Sequence, residues 1–206
     1  MYVNVKLKGI DKALKKFDRQ IVRRASVMAV NDIAKQGTAA AKRQIAMEYN
    51  IKPNRIARFL KVTARAAGSK TWAVITGIGK GLALSYFGAK QEGVITSKKS
   101  FRYTRRAQRQ GNLRRGGEVT VQVKKAGGRK VVATEPKPFI VRLKSGHMAV
   151  MQRQGEKKLP VKELFGPGVG LLFGSKRIMG NVTKLINEKF GPRFTYWLNR
   201  YRGERS

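Results

Sequence analysis

The 206-residue sequence has no cysteine, a single histidine and eleven acidic residues. Without cysteine it can form no disulfide framework, no thiolate metal site and no cysteine nucleophile. The acids are scattered, and their spacing pairs none of them as metal ligands or as a general acid and base. His147 lies in a predicted turn, and the sequence reveals no carboxylate partner for it. We therefore predict that the chain is not an enzyme and has no catalytic residue, metal or cofactor.

Long apolar runs are also missing. The longest nearly apolar stretch, residues 166–174, is rich in glycine and far shorter than the roughly 20 residues that a membrane-spanning helix needs. The first ten residues alternate polar and apolar side chains and lack the apolar core of a signal peptide. We expect a soluble protein, made in a cytoplasm without a visible export signal and with no membrane partner.

Positive charge dominates what is present, because 46 Lys and Arg residues give a formal net charge of +35. Hydrophobic residues make up 41% of the chain and include nine Phe and two Trp, a content that argues against wholesale disorder. A compact body with this charge repels itself. We therefore expect its partners to include a polyanion or an acidic protein.

Hydrophobic periodicity predicts an α+β fold, with helices at both ends of the chain around a central antiparallel β region. A strand over residues 2–8 precedes a long amphipathic helix over 10–49. Unbroken, that helix would be about 60 Å long, so it either bends near Gly37 or projects from the body. The C-terminal helix covers residues 176–201, and Gly191 and Pro192 should break or kink it.

The central region is predicted from alternating apolar residues between turn residues. Pro53 suits the first turn of a short helix over residues 54–60. The predicted strands that follow cover residues 60–66, 71–78, 93–96, 118–124, 130–133, 139–143 and 148–152.

A basic segment without a single acid covers residues 98–115. Its charged residues are Lys98, Lys99, Arg102, Arg105, Arg106, Arg109, Arg114 and Arg115. Arginine suits bidentate phosphate contact and stacking. We interpret the segment as part of a β-hairpin arm, at about 98–130, that grips nucleic-acid backbone or an acidic neighbour. The alternative is a solvated hairpin tip whose charge only keeps the protein soluble. No motif for base-specific readout accompanies it.

The most distinctive stretch is KLPVKELFGPGV, residues 158–169. Its prolines fix backbone angles, its glycines permit unusual ones, and its apolar residues form an anchor. We interpret it either as a loop that caps the core or as a loop that contacts another subunit. The residues that would do so are Leu159, Pro160, Leu164, Phe165, Gly166 and Pro167.

Several of these blocks together resemble the minor tail protein Z family of tailed phages and prophages. The blocks are AVNDIA at 29–34, Ile51-Lys52-Pro53, Pro138-Phe139, Met148-Ala149-Val150 with Arg153, and KLPVKELFGPGV at 158–169. The resemblance covers most of residues 1–170, which we take as one domain, and leaves 171–206 as a C-terminal helical segment. The basic segment lies where members are expected to vary, so its role is not carried over.

The resemblance implies a non-enzymatic structural protein of the virion. It implies a tail-completion or neck subunit that forms a ring of six or twelve copies at the head-proximal end of the tail. Such a subunit assists head–tail joining beside neck, tail-terminator and head-completion proteins, after assembly in the bacterial cytoplasm. Contact with the genome there would be to the DNA backbone and independent of sequence.

Composition alone leaves an alternative, a sequence-nonspecific RNA- or DNA-binding protein of ribosomal or nucleoid type. The LPVKELFGPGV block favours the virion component, because such a binding protein needs no anchored Pro/Gly loop far from its basic arm. At about one charge per 1.7 Å, a charge of +35 matches about 60 Å of duplex DNA. The positive charge of a ring of subunits exceeds the negative charge of the DNA that the ring encloses, so we expect acidic surfaces on the neighbouring proteins as well.

Overall fold

The computed structural model describes residues 17–96, 101–103, 117–157 and 159–203. They fall into two compact units, here called the helical unit and the sheet unit. The helical unit takes its described residues from Met1–Ile45, Pro53–Lys80 and Gly168–Ser206, and the sheet unit from Ala46–Lys52 and Gly81–Pro167. The predicted strand over residues 2–8 lies outside the described residues.

The predicted α+β fold is confirmed, with a long helix near each end and short antiparallel strands between. The α-helices of the described residues are α1 Arg19–Glu48, α2 Pro53–Phe59, α3 Val169–Phe173 and α4 Lys176–Tyr201. The strands are β1 Leu60–Ala64, β2 Val74–Gly77, β3 Leu82–Ala83, β4 Lys90–Gln91, β5 Val94–Thr96, β6 Phe101–Tyr103, β7 Val119–Val121, β8 Lys130–Val131, β9 Phe139–Arg142, β10 Met148–Arg153, β11 Val161–Glu163 and β12 Phe165–Gly166. Within this part of the chain, no helix combines the length and the apolar character that crossing a membrane requires.

Helix α1 begins later than the periodicity predicts, because Asp18 caps it. The Asp18 Oδ1 atom accepts hydrogen bonds from the backbone N–H groups of Gln20 at 2.6 Å and Ile21 at 3.2 Å. These are donors that the first turn of a helix cannot satisfy internally, and an Asp at the N-cap position satisfies them. The predicted helical course through Phe17 and Asp18 is therefore wrong, and residues 10–16 lie outside the described part.

Helix α1 continues without interruption across Gly37. Its 30 residues correspond to a length of about 45 Å. The prediction of a bend started from a helix of about 60 Å, so the shorter helix has less need of one. Gly37 is buried, and a Cβ atom there would lie 3.4 Å from Ile75 Cδ1 and 3.5 Å from Ile186 Cδ1. Side chains of β2 and α4 therefore pack directly over Gly37, at a distance where a Cβ would make ordinary van der Waals contact.

Helix α4 runs through Pro192, where the sequence predicts a break or kink. Proline removes one backbone hydrogen bond and costs about 3 kcal/mol in a helix interior. Buried Phe190, Phe194 and Leu198 lie on both sides of it, and the two phenyl rings stack with centroids 5.9 Å apart. Apolar burial on either side of the proline offsets that cost, so the helix remains one element.

The β1–β2 hairpin of the helical unit confirms the predicted pair of strands, in shorter form. Val62 pairs with Ile75, and a bulge follows Val62. Beyond the strand end, Asn31 of α1 binds the backbone of Ala66 twice, donating to its carbonyl and accepting from its N–H, both at 2.9 Å. One side-chain amide therefore supplies both hydrogen bonds that a further strand residue would have made.

The sheet unit contains two three-stranded sheets, ordered β11-β10-β9 and β4-β7-β8, and two strand pairs, β12-β3 and β5-β6. The predicted β9–β10 hairpin is confirmed, and Gly146 in its turn has a φ of 77° that favours glycine. Buried Val119, Ile140 and Val150 form a core in which the two three-stranded sheets meet.

Candidate interaction surfaces

Seven of the eight cations of the predicted basic arm lie outside the described residues. They are Lys98, Lys99, Arg105, Arg106, Arg109, Arg114 and Arg115. Arg102 is placed through its backbone, which pairs in β6 with Ile95 of β5. The role of these eight residues in binding a polyanion remains a prediction.

The described residues before and after this segment adjoin in the sheet unit. Gly117 N–H donates to the Glu92 carbonyl at 3.0 Å, and Glu92 N–H donates to the Glu118 carbonyl at 3.2 Å. Between these points β5 and β6 pair in antiparallel fashion. At the far end of the predicted arm, β7 and β8 belong to a three-stranded sheet with β4. The described residues that flank this segment therefore adjoin, and residues 119–121 and 130–131 of the predicted arm belong to a sheet.

The predicted loop over 158–169 contains two short strands. Strand β11 adds to β10, with Glu163 opposite Met151, and β12 pairs with β3, with Phe165 opposite Ala83. The loop interpretation is therefore wrong for residues 161–163 and 165–166. The sequence did not indicate these strands, because the prolines and glycines around them are typical of turns.

The structure separates the apolar residues that the sequence groups as one anchor. Leu164 packs against the core of Val119, Ile140 and Val150. In contrast, Phe165 is 53% exposed, and Leu159 is 71% exposed. Leu164 thus fits the core interpretation, while Phe165 and Leu159 are available for contact with another molecule.

The glycines of this stretch allow close packing, not unusual backbone angles. Gly166, Gly168 and Gly170 all have negative or extended φ values. A Cβ on Gly166 would lie 2.8 Å from Phe87 Cε2, and one on Gly170 would lie 2.6 Å from the Gly77 carbonyl oxygen. The expected unusual angles are therefore wrong for Gly166 and Gly168, the glycines of the stretch. At Gly166 and at Gly170 of α3 the close contacts leave no room for a side chain.

Pro160 is exposed, and Pro167, which follows β12, is half-buried. The carbonyl of Pro160 accepts a hydrogen bond from Gln154 N–H at 3.0 Å and so closes the turn between β10 and β11. Exposed Leu159 directly precedes Pro160, and exposed Phe165 lies in β12, so both side chains extend from backbone that hydrogen bonds hold in place.

His147 has a carboxylate partner that its sequence position does not reveal. Its Nε2 atom lies 2.8 Å from Glu163 Oε1, and its ring makes an edge contact with Tyr86 at 5.9 Å between centroids. The pair links the turn before β10 to β11. No group of three or more metal-ligating side chains is found among the described residues. His147 and Glu163 meet because of the register between β10 and β11. The sequence, in which they are 16 residues apart, does not reveal that register.

A cluster that the sequence analysis did not predict occupies the last two turns of α4. We call Arg193, Tyr196, Trp197, Arg200 and Tyr201 the Arg200 cluster. Their spacing of three, four, seven and eight residues places them along one flank of the helix. In the sequence, Trp197 and Tyr201 fit the apolar face of the helix. Arg193 and Arg200, at helical spacing from Trp197, are the signal that could have revealed the cluster.

The cluster is held together by ring and guanidinium contacts. The Arg200 guanidinium lies over the Trp197 ring at 5.4 Å, and that of Arg193 lies over the Tyr196 ring at 5.4 Å. Tyr196 meets Trp197 edge-on at 5.3 Å, and Trp197 stacks on Tyr201 at 6.0 Å. Such contacts fix the orientation of otherwise mobile arginine side chains.

One acid of α1 orients the cluster. Trp197 Nε1 donates to Asp32 Oδ2 at 2.9 Å, and the same oxygen lies 3.6 Å from Arg193 Nε. Asp32 is one of three acids among the described residues of the helical unit, which hold 19 Lys and Arg. Chemically, the cluster combines fixed aromatic rings with two guanidinium groups, of which Arg193 is paired with Asp32.

Comparison with known proteins gives one family. A family model described as prophage minor tail protein Z matches residues 7–202. The match extends through all of α4, beyond the motifs that the sequence offered. No curated protein and no solved structure matches the chain.

Proposed function

Since the chain belongs to the prophage minor tail protein Z family, which indicates a structural, non-enzymatic role in a phage tail, we propose that it is a tail-completion or neck subunit. In this proposal six or twelve copies form a ring at the head-proximal end of the tail. The ring assists the joining of head and tail and contacts the backbone of the genome DNA. The family match over residues 7–202 is the observation that carries the proposal.

Subunit contact is supported by the two exposed apolar side chains of the 158–169 stretch. Solvent-exposed apolar residues become stabilising when a partner covers them, at about 25 cal/mol per Å² of buried apolar surface. Phe165 and Leu159 sit on a backbone tied to β3 and β10 through strand pairing and the Pro160 hydrogen bond. A rigid support of this kind lowers the entropy that ordering an interface costs.

DNA contact is supported by the composition of residues 98–115 and by the backbone hydrogen bond that joins Glu92 and Gly117 on either side of them. An arm of eight cations without acids matches the periodic charge of a phosphate backbone. Such contact positions a protein on DNA without reading its sequence. The remaining positive charge of the subunit is assigned in this proposal to acidic surfaces on adjacent tail and head proteins.

The subunit-contact part is tested with the purified full chain. Negative-stain imaging and native mass measurement should show rings of six or twelve copies, and the double variant Phe165→Ser, Leu159→Ser should remain folded as smaller species. Val131→Ser is the matched control, because Val131 is another exposed apolar residue of the sheet unit. Rings that persist in the double variant, or a wild-type chain that stays monomeric or co-purifies with ribosomes, would contradict the proposal.

A further inference from the structure

From the geometry of the Arg200 cluster we infer that this flank of α4 is a docking surface for an acidic protein segment, in which Arg200 receives a carboxylate and Trp197 and Tyr196 receive adjoining apolar side chains. The inference deepens the proposed function and rests on it, since a tail subunit works against other proteins. It assigns one surface to the acidic neighbours that the net charge requires.

The first step is that Arg200 is held in place while most of its donors stay open. One of its terminal N–H groups donates to the Tyr196 hydroxyl at 3.2 Å, and its plane covers the Trp197 ring. A guanidinium has five N–H donors, so this contact leaves four. Arg200 is exposed, and no acid pairs with it among the described residues.

The second step is that the ring beneath Arg200 is itself fixed. The Trp197 indole is bound to Asp32 at 2.9 Å and stacks on Tyr201. The orientation of the Trp197 ring is therefore fixed, and the Arg200 guanidinium that lies over it is fixed as well. Holding a fork of donors in advance is what makes arginine suited to bidentate carboxylate binding.

Charge and aromatic content decide which kind of partner suits the Arg200 cluster. A second copy of this chain brings the same excess of 46 basic over 11 acidic residues, so it is a poor source of carboxylates. Duplex DNA offers anions, but phosphate-backbone contact makes no use of half-exposed indole and phenol rings. Trp, Tyr and Arg together are the residues that dominate protein–protein contacts. The composition of the cluster thus favours an acidic protein segment with apolar residues beside its carboxylates.

The test uses the fluorescence of Trp197 in the full chain. Trp72 is the other tryptophan of the sequence, so the Trp72→Phe variant reports on Trp197 alone. The probe is a synthetic peptide of about ten residues in which Glu and Leu alternate. A peptide of equal charge made of Glu and Ser, and a DNA duplex of about 20 base pairs, serve as comparisons. We expect the Glu/Leu peptide to change the Trp197 emission saturably and to bind more tightly than the Glu/Ser peptide.

The variants separate geometry from charge. Arg200→Gln should weaken binding of the Glu/Leu peptide about tenfold, the order expected when a pair of charge-assisted hydrogen bonds is removed. Arg200→Lys keeps the charge but has neither the planar fork nor the stacking on the ring, and it should weaken binding by a similar factor. Arg24→Gln, at an exposed arginine of α1, is the control and should change affinity less than about twofold.

Three results would overturn the inference: equal effects of Arg24→Gln and Arg200→Gln, full binding by Arg200→Lys, or a Trp197 response to the duplex but not to the Glu/Leu peptide. The assay needs no ring. Ring formation is scored separately by native mass, so a chain that binds the peptide but forms no ring refutes the proposed function and leaves the docking surface standing.

Discussion

The indole N–H of Trp197 donates a hydrogen bond to the Asp32 carboxylate at 2.9 Å, across 165 residues of sequence. It joins the first and last helices of the described chain within the helical unit. Both partners are half-buried, and the Asp32 side chain keeps 20% of its exposure. The bond therefore operates where water screens it only in part.

Asp32→Ala should destabilise the protein by about 1–2 kcal/mol, because it leaves the Trp197 N–H without its acceptor and Arg193 without its ion-pair partner. Asp32→Asn retains an acceptor and should cost less. The measurement is urea unfolding of both variants, of Trp197→Phe, and of the double variant. A coupling energy of about 1 kcal/mol between positions 32 and 197 is expected, and additive losses would show that the bond contributes nothing.

Gly170→Ala should destabilise the protein by about 1–3 kcal/mol, because its Cβ would meet backbone atoms of 77 and 78 that cannot turn aside. Gly180→Ala is the matched control in α4, where a Cβ meets nothing within 4 Å. It should stabilise by about 0.5–1 kcal/mol through helix propensity. Thermal unfolding of the two variants checks this, and shifts of the same sign would refute the close-packing account of Gly170.

Leu164→Ala and Phe165→Ala should behave differently although they are adjacent. Leu164 packs on the core of the sheet unit, so its truncation should cost about 1–3 kcal/mol. Phe165 is exposed, and its replacement should change stability by less than about 0.5 kcal/mol while reducing self-association. Urea unfolding gives the first quantity and native mass the second. Equal losses of stability would show that both side chains belong to the core and would contradict the prediction.

Replacing Arg102, Arg105, Arg106 and Arg109 by Gln should leave the fold intact and flatten the salt dependence of duplex DNA binding, by nearly one unit of slope for each phosphate that is no longer neutralised. The control replaces four exposed cations of the helical unit, Lys61, Arg65, Lys70 and Lys80, with the same change in charge. Fluorescence anisotropy over a salt series measures both. An unchanged slope in the arm variant, or an equal change in the control, would contradict the arm hypothesis.

Periodicity is sufficient for the elements whose partners are near in sequence. The β9–β10 hairpin, the β1–β2 pair and α4 all follow from alternation or helical spacing and from the glycines between them. Pro192 shows the limit of local propensity, because the packing of Phe190 and Phe194 decides whether a proline ends a helix.

The candidate surfaces depend on information that local pattern does not hold. The Asp18 cap overrides a helical periodicity that extends past it, and the 158–169 stretch forms strands because β3 and β10 provide partners. The Glu163 partner of His147 and the Asp32 partner of Trp197 depend on which elements pack together. The family, by contrast, is accessible from short blocks of sequence.

The central claim is tested most directly by a cryo-electron microscopy map of the tailed particle of the phage or prophage that encodes this chain. The account predicts a ring of six or twelve copies at the head-proximal end of the tail, with residues 98–115 toward the DNA and the Arg200 cluster against an acidic neighbouring protein. A particle that lacks the chain, or one that carries it as isolated copies or at the distal tip, would contradict the account.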